Sequence, residues 1–121
     1  MSTWFKVNKN LENVDRLYVM EIVVGETTVY KVGKASGHSS KQRMLQIIGS
    51  YFDVYRKTPV VSIIKDKEVT NVFEKETKCH HALAEWQFTP EKAFSGSTEC
   101  FNVSKEKVLE VYKNVLQSTE N

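Results

Sequence analysis

Two short runs of apolar residues lie between Leu17 and Gly33, separated by Gly25 and Glu26. Both runs are rich in Val, Ile, Thr and Tyr, which fit a pleated, half-buried surface, so they predict the two strands of a β-hairpin. Gly25 can adopt the positive φ that a short loop between strands requires. The polar loop KASGHSS follows the hairpin. A strand that leads into a loop of Gly, Ser and Lys is a suitable place to hold a phosphate, so we expect the chemistry at this end.

After the hairpin, the spacing of apolar residues changes to that of a helix. The run from Lys41 to Ile48 predicts a first helix, which is expected to end at Gly49. Ser39 or Ser40 is the expected N-cap. A third strand is then predicted from Pro59 to Ile64, with the proline at its start or on a sheet edge.

A second, longer helix is predicted from residue 67 to about residue 86, with Asp66 as its cap. Six apolar residues form one stripe along this helix: Val69, Val72, Phe73, Cys79, Leu83 and Trp86. Glu76 falls inside the stripe, whereas Glu74 falls on the polar side. A carboxylate on an apolar face must be paired, hydrogen-bonded or bound to a cation. The alternative is that Glu76 lies at the edge of the stripe and reaches solvent.

Residues 98–103 predict a short fourth strand, and Ser104 is expected to cap a last amphipathic helix over residues 104–118. Residues 1–16 are polar with isolated apolar positions and are predicted to be an N-terminal extension. The element order is then ββαβαβα. It predicts a single α+β domain over residues 1–121, with a small, mainly antiparallel sheet and flanking helices.

The composition narrows the class of protein. The 121 residues are 40% apolar and 26% charged, without a run long enough to span a membrane, so no membrane partner is expected. The N-terminus lacks the apolar segment of a signal peptide, and the two cysteines, Cys79 and Cys100, are too few for a disulfide framework. We therefore expect a cytoplasmic protein with free thiols.

The net charge of +2 does not by itself indicate a polyanionic partner, but the basic residues are unevenly spread. Five lie within 13 residues: Lys31, Lys34, His38, Lys41 and Arg43. Such a cluster suits a phosphate backbone, although clusters of this kind are also common as solvated surface.

The cysteines and histidines suggest zinc only weakly. Cys79, His80 and His81 are consecutive, and neighbouring residues on a helix point about 100° apart, so the three cannot converge with Cys100 on one ion. We expect Cys79 in the core and His81 at the surface.

Three features carry a resemblance to a known family. The segment RLYV contains Tyr18, the segment YKVG ends at Gly33, and Arg43 follows in the first helix. In this order they resemble the two sequence motifs and the helix arginine of the GIY-YIG nuclease domains, in the compact branch of phage and bacterial genomes.

The second half of the chain extends the resemblance. Glu76, His80 and Leu83 match a branch pattern of glutamate, three residues, histidine, two residues and a large apolar residue, and TECF at residues 98–101 matches its closing segment. The resemblance spans about Arg16 to Val103. This chain departs from the wider family at three points: Arg-Leu replaces Gly-Ile in the first motif, a lysine replaces the tyrosine of the second, and the stretch from Gly33 to Arg43 is slightly longer than expected.

The resemblance implies hydrolysis of phosphodiester bonds with one Mg²⁺. Glu76 would bind the metal with hard oxygen atoms, and Glu74 stays open as the alternative ligand. Arg43 would contact the scissile phosphate, where its planar fork suits two oxygens. Tyr18 would position or deprotonate the attacking water, helped by a nearby cation such as Lys31 or Lys34.

Two further residues have implied roles. Lys31 could itself be the general base if burial lowers its pKa. His80, one turn after the metal-binding glutamate, could orient the carboxylate or assist proton transfer. Four residues are the expected contacts to phosphate or DNA: Lys34, His38, Lys41 and Asn102. Glu99 could be a second acidic ligand or an ordinary strand residue.

We therefore expect a Mg²⁺-dependent endonuclease of phage or mobile-element type that acts on DNA in the cytoplasm of a bacterial host, as a monomer or homodimer. An RNA substrate stays open. The alternative is a catalytically degenerate domain of the same fold that binds nucleic acid or inhibits a host protein. Lys31 at the tyrosine position and the weak net charge favour this alternative, whereas the presence of Tyr18, Arg43 and Glu76 favours the enzyme.

Overall fold

A computed structural model describes residues 15–36 and 39–118. Its elements follow the order β1 Asp15–Val24, β2 Thr27–Ser36, α1 Ser40–Tyr55, β3 Val60–Glu68, α2 Val72–Ala82, β4 Cys100–Phe101 and α3 Lys105–Ser118. This is the predicted order ββαβαβα, and the predicted α+β class with a small antiparallel sheet is confirmed. Residues 1–14 and His38 lie outside the described residues. None of the described helices is long and apolar enough to cross a membrane.

The four strands form one sheet in the order β3-β1-β2-β4, and every pairing is antiparallel. The predicted hairpin is confirmed, and Gly25 forms its turn with a φ of 62°. Its strands extend beyond the predicted ends, so Asp15 and Arg16, assigned to the N-terminal extension, belong to β1. The sheet places the carboxyl end of β2 beside the beginning of β1.

The edge strand β4 is much shorter than predicted. Instead of a strand over residues 98–103, Ser97–Glu99 forms a 3-10 turn and only Cys100–Phe101 pairs with β2. Gly96 starts the turn with a φ of 84°, and its carbonyl accepts a hydrogen bond from the Glu99 N–H at 3.0 Å. Since β4 pairs only with Tyr30 and Lys31, no described strand covers the edge of β2 beyond them.

Helix α1 begins as predicted and ends later. Ser39 is its N-cap and forms a reciprocal capping box with Gln42. The prediction that it stops at Gly49 is wrong, because the helix continues to Tyr55. Ile47 and Tyr51 lie one turn apart on either side of the glycine, and both are buried against the sheet, which stabilises the continued helix.

Helix α2 begins later and ends earlier than predicted. Asp66 is not its cap, because β3 runs on to Glu68 and the Asp66 carboxylate accepts a hydrogen bond from Arg16 at 2.6 Å. Pairing with the first residues of β1 extends β3 in this way. The helix ends at Ala82 and is followed by a 3-10 turn over Ala84–Trp86.

The sheet is covered on both faces. Leu17 and Val19 of β1 face a core built with α2 and α3, while Tyr18 and Met20 face a core built with α1. Phe73, which belongs to the predicted apolar stripe, keeps 70% of its surface accessible, whereas its neighbour Val72 is the residue that α2 packs into the core.

Candidate functional site

The site forms at the edge of β2, where its pairing with β4 ends. Lys31 pairs with Met20 across the hairpin and therefore lies on the α1 face of the sheet. Its Nζ donates to the Tyr18 hydroxyl at 2.9 Å and to Oε1 of Glu99 at 2.7 Å. Lys31 is 1% exposed. The phenol and the carboxylate compensate for burial of the ammonium group.

Two glycines make room for this lysine. A Cβ at Gly33 would collide with Nζ of Lys31 and lie 2.5 Å from the Tyr18 hydroxyl oxygen. A Cβ at Gly96 would lie 2.5 Å from Cε of Lys31 and 3.7 Å from Nη2 of Arg43. Gly33, which ends the YKVG segment, does not have a positive φ, so its backbone conformation does not require glycine. Glycine is required there because a side chain would not fit.

The charge state of Lys31 does not support the predicted base. Burial by itself lowers the pKa of Lys31, but Tyr18 and Glu99 outweigh this effect and raise it above its ordinary value. Because Lys31 stays an ammonium ion at neutral pH, the hypothesis that burial turns it into a general base is not supported. It contributes a fixed positive charge instead.

Helix α2 supplies two residues from the opposite face of the sheet. Glu76 is 6% exposed, so the hypothesis that it reaches solvent is wrong, whereas Glu74 is exposed and pairs with Lys78 at 3.3 Å. Nε2 of His80 lies 2.7 Å from the Val32 carbonyl, on the edge of β2 that β4 leaves open. Because a carbonyl can only accept, Nε2 carries the proton, and the lone pair of the neutral ring is on Nδ1.

Glu76, His80 and Glu99 form a candidate metal centre. Each offers a ligand atom, and these atoms lie within 4.8 Å of one another. Oε2 of Glu76 is buried and has no hydrogen-bond partner among the described residues. Burial raises the pKa of Glu76 and the Glu99 charge raises it further, while His80, Lys34 and Lys31 lower it. The centre therefore holds an incompletely compensated carboxylate, which a cation would relieve.

Arg43 lies beside the Gly96 loop that also contacts Lys31. Its Nη1 donates to Oε1 of Gln46 at 2.9 Å and to Oγ of Ser95 at 3.0 Å. The Ser95 N–H in turn donates to Oγ of Ser50 at 2.8 Å. These bonds hold the guanidinium at the loop that also packs on Lys31, and Nη2 donates to no described residue.

The predicted site is thus brought together in large part. Glu99 links Lys31 and its partner Tyr18 to Glu76 and His80. Arg43 lies near Lys31 at the Gly96 loop. Of the predicted contacts to DNA, Lys34 lies close enough to influence Glu76, and Lys41 is exposed in the first turn of α1.

Asn102 is not brought to the cluster. It follows the β4 residue that pairs with Tyr30, on the side of Lys31 away from Val32, and its backbone N–H donates to the Trp86 carbonyl. The strand register therefore directs this end of β4 toward the hairpin turn.

Sequence reasoning left Glu99 undecided and missed Ser95 and Gly96. The loop that carries them is contiguous with the TECF segment, but its contacts join residues far apart in the chain. The weak zinc interpretation gains no support. Burial raises the pKa of the Cys79 and Cys100 thiols to about 12 each, and no described metal cluster includes a cysteine.

A comparison with protein families adds an independent observation. A family model described as the T5orf172 domain matches residues 15–116. The chain belongs to the T5orf172 domain family. This match begins at the first residue of β1 and ends within α3, so it covers every residue of the cluster. No curated protein and no solved structure matches the chain.

The T5orf172 domain is phage-associated, which agrees with the phage relationship expected from the sequence. The family match covers the whole described sheet, helices α1 and α2, and most of α3. It therefore concerns the domain that carries the cluster and not an appended segment.

Proposed function

We propose that this T5orf172 domain is a metal-dependent endonuclease of the GIY-YIG type that hydrolyses phosphodiester bonds in DNA. The observation that supports this most directly is the buried Oε2 of Glu76, which has no hydrogen-bond partner in the described part of the chain and lies beside His80 and Glu99. Lys31 and Arg43 add two cations to the same edge of the sheet. Carboxylates next to cations suit a divalent metal and a phosphate together.

The residues of the centre fit Mg²⁺. Two of the three candidate ligands are carboxylates, the hard donors that Mg²⁺ prefers. A buried carboxylate oxygen without a partner is unfavourable, and a cation removes that penalty. Glu76 and Glu99 would hold the ion, with His80 either as a third ligand or as a proton carrier. When bound, a divalent ion polarises a phosphoryl oxygen and stabilises the developing negative charge.

The cations of the cluster would hold the phosphate. Lys31 carries a positive charge that Tyr18 and Glu99 hold in place, so it needs no reorganisation as charge develops on the phosphate. Arg43 presents Nη2 beside it and can donate to a phosphate oxygen. Lys34 and Lys41 would contact neighbouring phosphates.

The proton transfers would involve His80 and Tyr18. His80 is oriented by the Val32 carbonyl, which leaves Nδ1 able to accept a hydrogen bond from water. Tyr18 has no surface open to solvent, so its part is narrower than the sequence predicts. Its hydroxyl oxygen accepts from Lys31, and its own proton can be donated to a water or phosphate oxygen that enters the cluster.

The test is a cleavage assay on supercoiled plasmid and on single-stranded DNA, with Mg²⁺ or with EDTA. Glu76→Gln is compared with Glu74→Gln, which removes the same charge from an exposed position on the same helix. We expect Mg²⁺-dependent nicking that is lost in Glu76→Gln and retained in Glu74→Gln. Equal activity of the two variants would overturn the proposed metal centre.

The same assay separates the degenerate binding domain from the enzyme. The observation that favours the degenerate binding domain is the Lys31–Glu99 ion pair, in which each charge partly neutralises the other. DNA binding without nicking by the wild type would favour that alternative. Absence of both nicking and binding would point to a protein partner.

A further inference from the structure

Phe73 is the most exposed large apolar side chain in the described part of the chain. Four such side chains are exposed: Leu45 by 56%, Phe52 by 43%, Val60 by 64% and Phe73 by 70%. Val72, the residue before Phe73, is 6% exposed and is the side chain that packs into the core at this turn of the helix. The ring of Phe73 therefore contributes little to the core, and its position needs another explanation.

The position of Phe73 on α2 links it to the candidate metal centre. Phe73, Glu76 and His80 are spaced three and four residues apart, so they fall within about 60° of one another around the helix axis. Phe73 lies one turn before Glu76, about 5 Å along the axis. The exposed ring and the candidate metal ligands thus share one face of the helix.

The first turn of α2 presents this ring from a fixed backbone. Thr77 donates its hydroxyl to the Phe73 carbonyl at 2.9 Å. Lys75, which is 5% exposed, donates to the Thr70 carbonyl at 2.7 Å and ties the helix to the preceding turn. The ring therefore stands on a rigid element, as a contact surface for a ligand requires.

We propose that Phe73 stacks on the base of a nucleotide that flanks the scissile phosphate. This inference rests on the proposed function, since a phosphodiester held at Glu76, Lys31 and Arg43 brings its flanking nucleotides toward the same helix face. Single-stranded nucleic acid is bound by aromatic rings that stack on bases, combined with cations that hold the backbone, and stacking is worth about 1–3 kcal/mol per base. Inside a duplex both faces of a base are covered, so the substrate is single-stranded or locally unstacked at this nucleotide.

Binding of a single-stranded oligonucleotide in EDTA, followed by fluorescence anisotropy, tests the contact without cleavage. We expect Phe73→Ala to weaken binding about fivefold or more, which corresponds to the lower end of the stacking energy, and Phe73→Trp to retain affinity. The matched control is Phe52→Ala, an exposed phenylalanine on α1 more than two turns from Arg43. An equal effect of Phe73→Ala and Phe52→Ala would overturn the proposal.

An abasic scan of the oligonucleotide distinguishes stacking from a general structural effect. Removing the stacked base should make the wild type and Phe73→Ala bind equally, while abasic sites elsewhere leave their difference intact. A difference that persists at every abasic position would overturn the proposal, as would a wild type that does not bind the oligonucleotide.

The nicking assay keeps the two hypotheses separate. A wild type that does not nick but shows the position-dependent loss would support the stacking contact and contradict the endonuclease. A wild type that nicks while Phe73→Ala binds normally would contradict the stacking contact alone.

Discussion

Lys31 occupies the space that a side chain at Gly33 would need. Its ammonium group passes over the Gly33 Cα and meets the Tyr18 hydroxyl on the opposite strand, which pairs with Gly33 in the sheet. A methyl group at this position must displace a lysine that is 1% exposed or a tyrosine that is fully buried. The spacing of the YKVG segment follows from this contact.

Gly33→Ala is therefore expected to lower stability by about 1–3 kcal/mol, as overpacking does, and to lower nicking at least tenfold. Urea denaturation and the plasmid assay measure the two effects. Gly49→Ala is the matched control. It lies in α1 with open space where the added methyl group would stand, so it should stabilise the protein by about 0.5–1 kcal/mol. Equal stability of the two variants would contradict the packing argument.

Removing the charge of Glu76 should stabilise the metal-free protein. Its folded pKa is raised by burial and by Glu99, so the unfolded chain ionises more readily and the carboxylate opposes folding at neutral pH. In EDTA at pH 7 we expect Glu76→Gln to be more stable than the wild type by about 1–2 kcal/mol, the scale of a buried polar group without a partner. The difference should shrink as the pH falls through the raised pKa and the wild-type carboxyl takes up its proton.

Addition of Mg²⁺ should reverse this order. A cation that binds only the folded protein raises Tm by mass action. Mg²⁺ should therefore raise the Tm of the wild type and of Glu74→Gln but not the Tm of Glu76→Gln. Thermal denaturation with and without Mg²⁺ measures the shift. A comparable shift in Glu76→Gln would mean that the ion binds elsewhere.

Arg43 should act on the rate more than on binding. Arg43→Gln is expected to lower the cleavage rate by about 10²–10³-fold, the loss seen when one donor to a developing charge is removed. Arg56→Gln, at the opposite end of α1, should leave the rate unchanged. Single-turnover kinetics at saturating protein separate the rate from the affinity. A loss confined to affinity would place Arg43 among the general phosphate contacts.

The stability that Lys31 provides should persist into alkaline solution. Its folded pKa is raised above the ordinary value of 10.5, so its contribution is fully present below that value and is lost only as the pH rises through the folded pKa. We expect Lys31→Met to be less stable than the wild type by about 1–3 kcal/mol, because Glu99 and Tyr18 lose their partner. Urea denaturation should give the same difference at pH 7 and pH 9. A difference that grows between these values would indicate a neutral lysine.

The parts of the fold that depend on neighbouring residues were predictable. The turn at Gly25, the capping box at Ser39 and the cap at Ser104 each use groups within a few positions of one another. The predicted helix boundaries were wrong where contacts between residues far apart in the chain determine them. Gly49 does not end α1, since Tyr51 beyond it packs edge-on against the Phe94 ring at 5.1 Å. Asp66 does not begin α2, since β1 holds it in the sheet.

The candidate site likewise has one part that the sequence predicts and one part that depends on contacts between distant residues. Its charged residues were predictable from their order in the chain, which is the information that a family resemblance uses. The partner of Lys31 was not predictable, because Glu99 lies 68 positions away in the chain and meets Lys31 only just before the short β4 begins. The charge state of Lys31 depends on that contact, so the sequence left its role open.

By itself, the sequence determined the class of fold, the order of the elements and which residues can carry the chemistry, because these depend on local propensity and side-chain type. Only the tertiary structure decided that Oε2 of Glu76 is buried with no hydrogen-bond partner among residues 15–36 and 39–118, while Phe73 is exposed. Periodicity assigns both to one apolar stripe of α2. The sheet and α3 cover only part of that stripe, and which side chains they cover depends on how the helix packs.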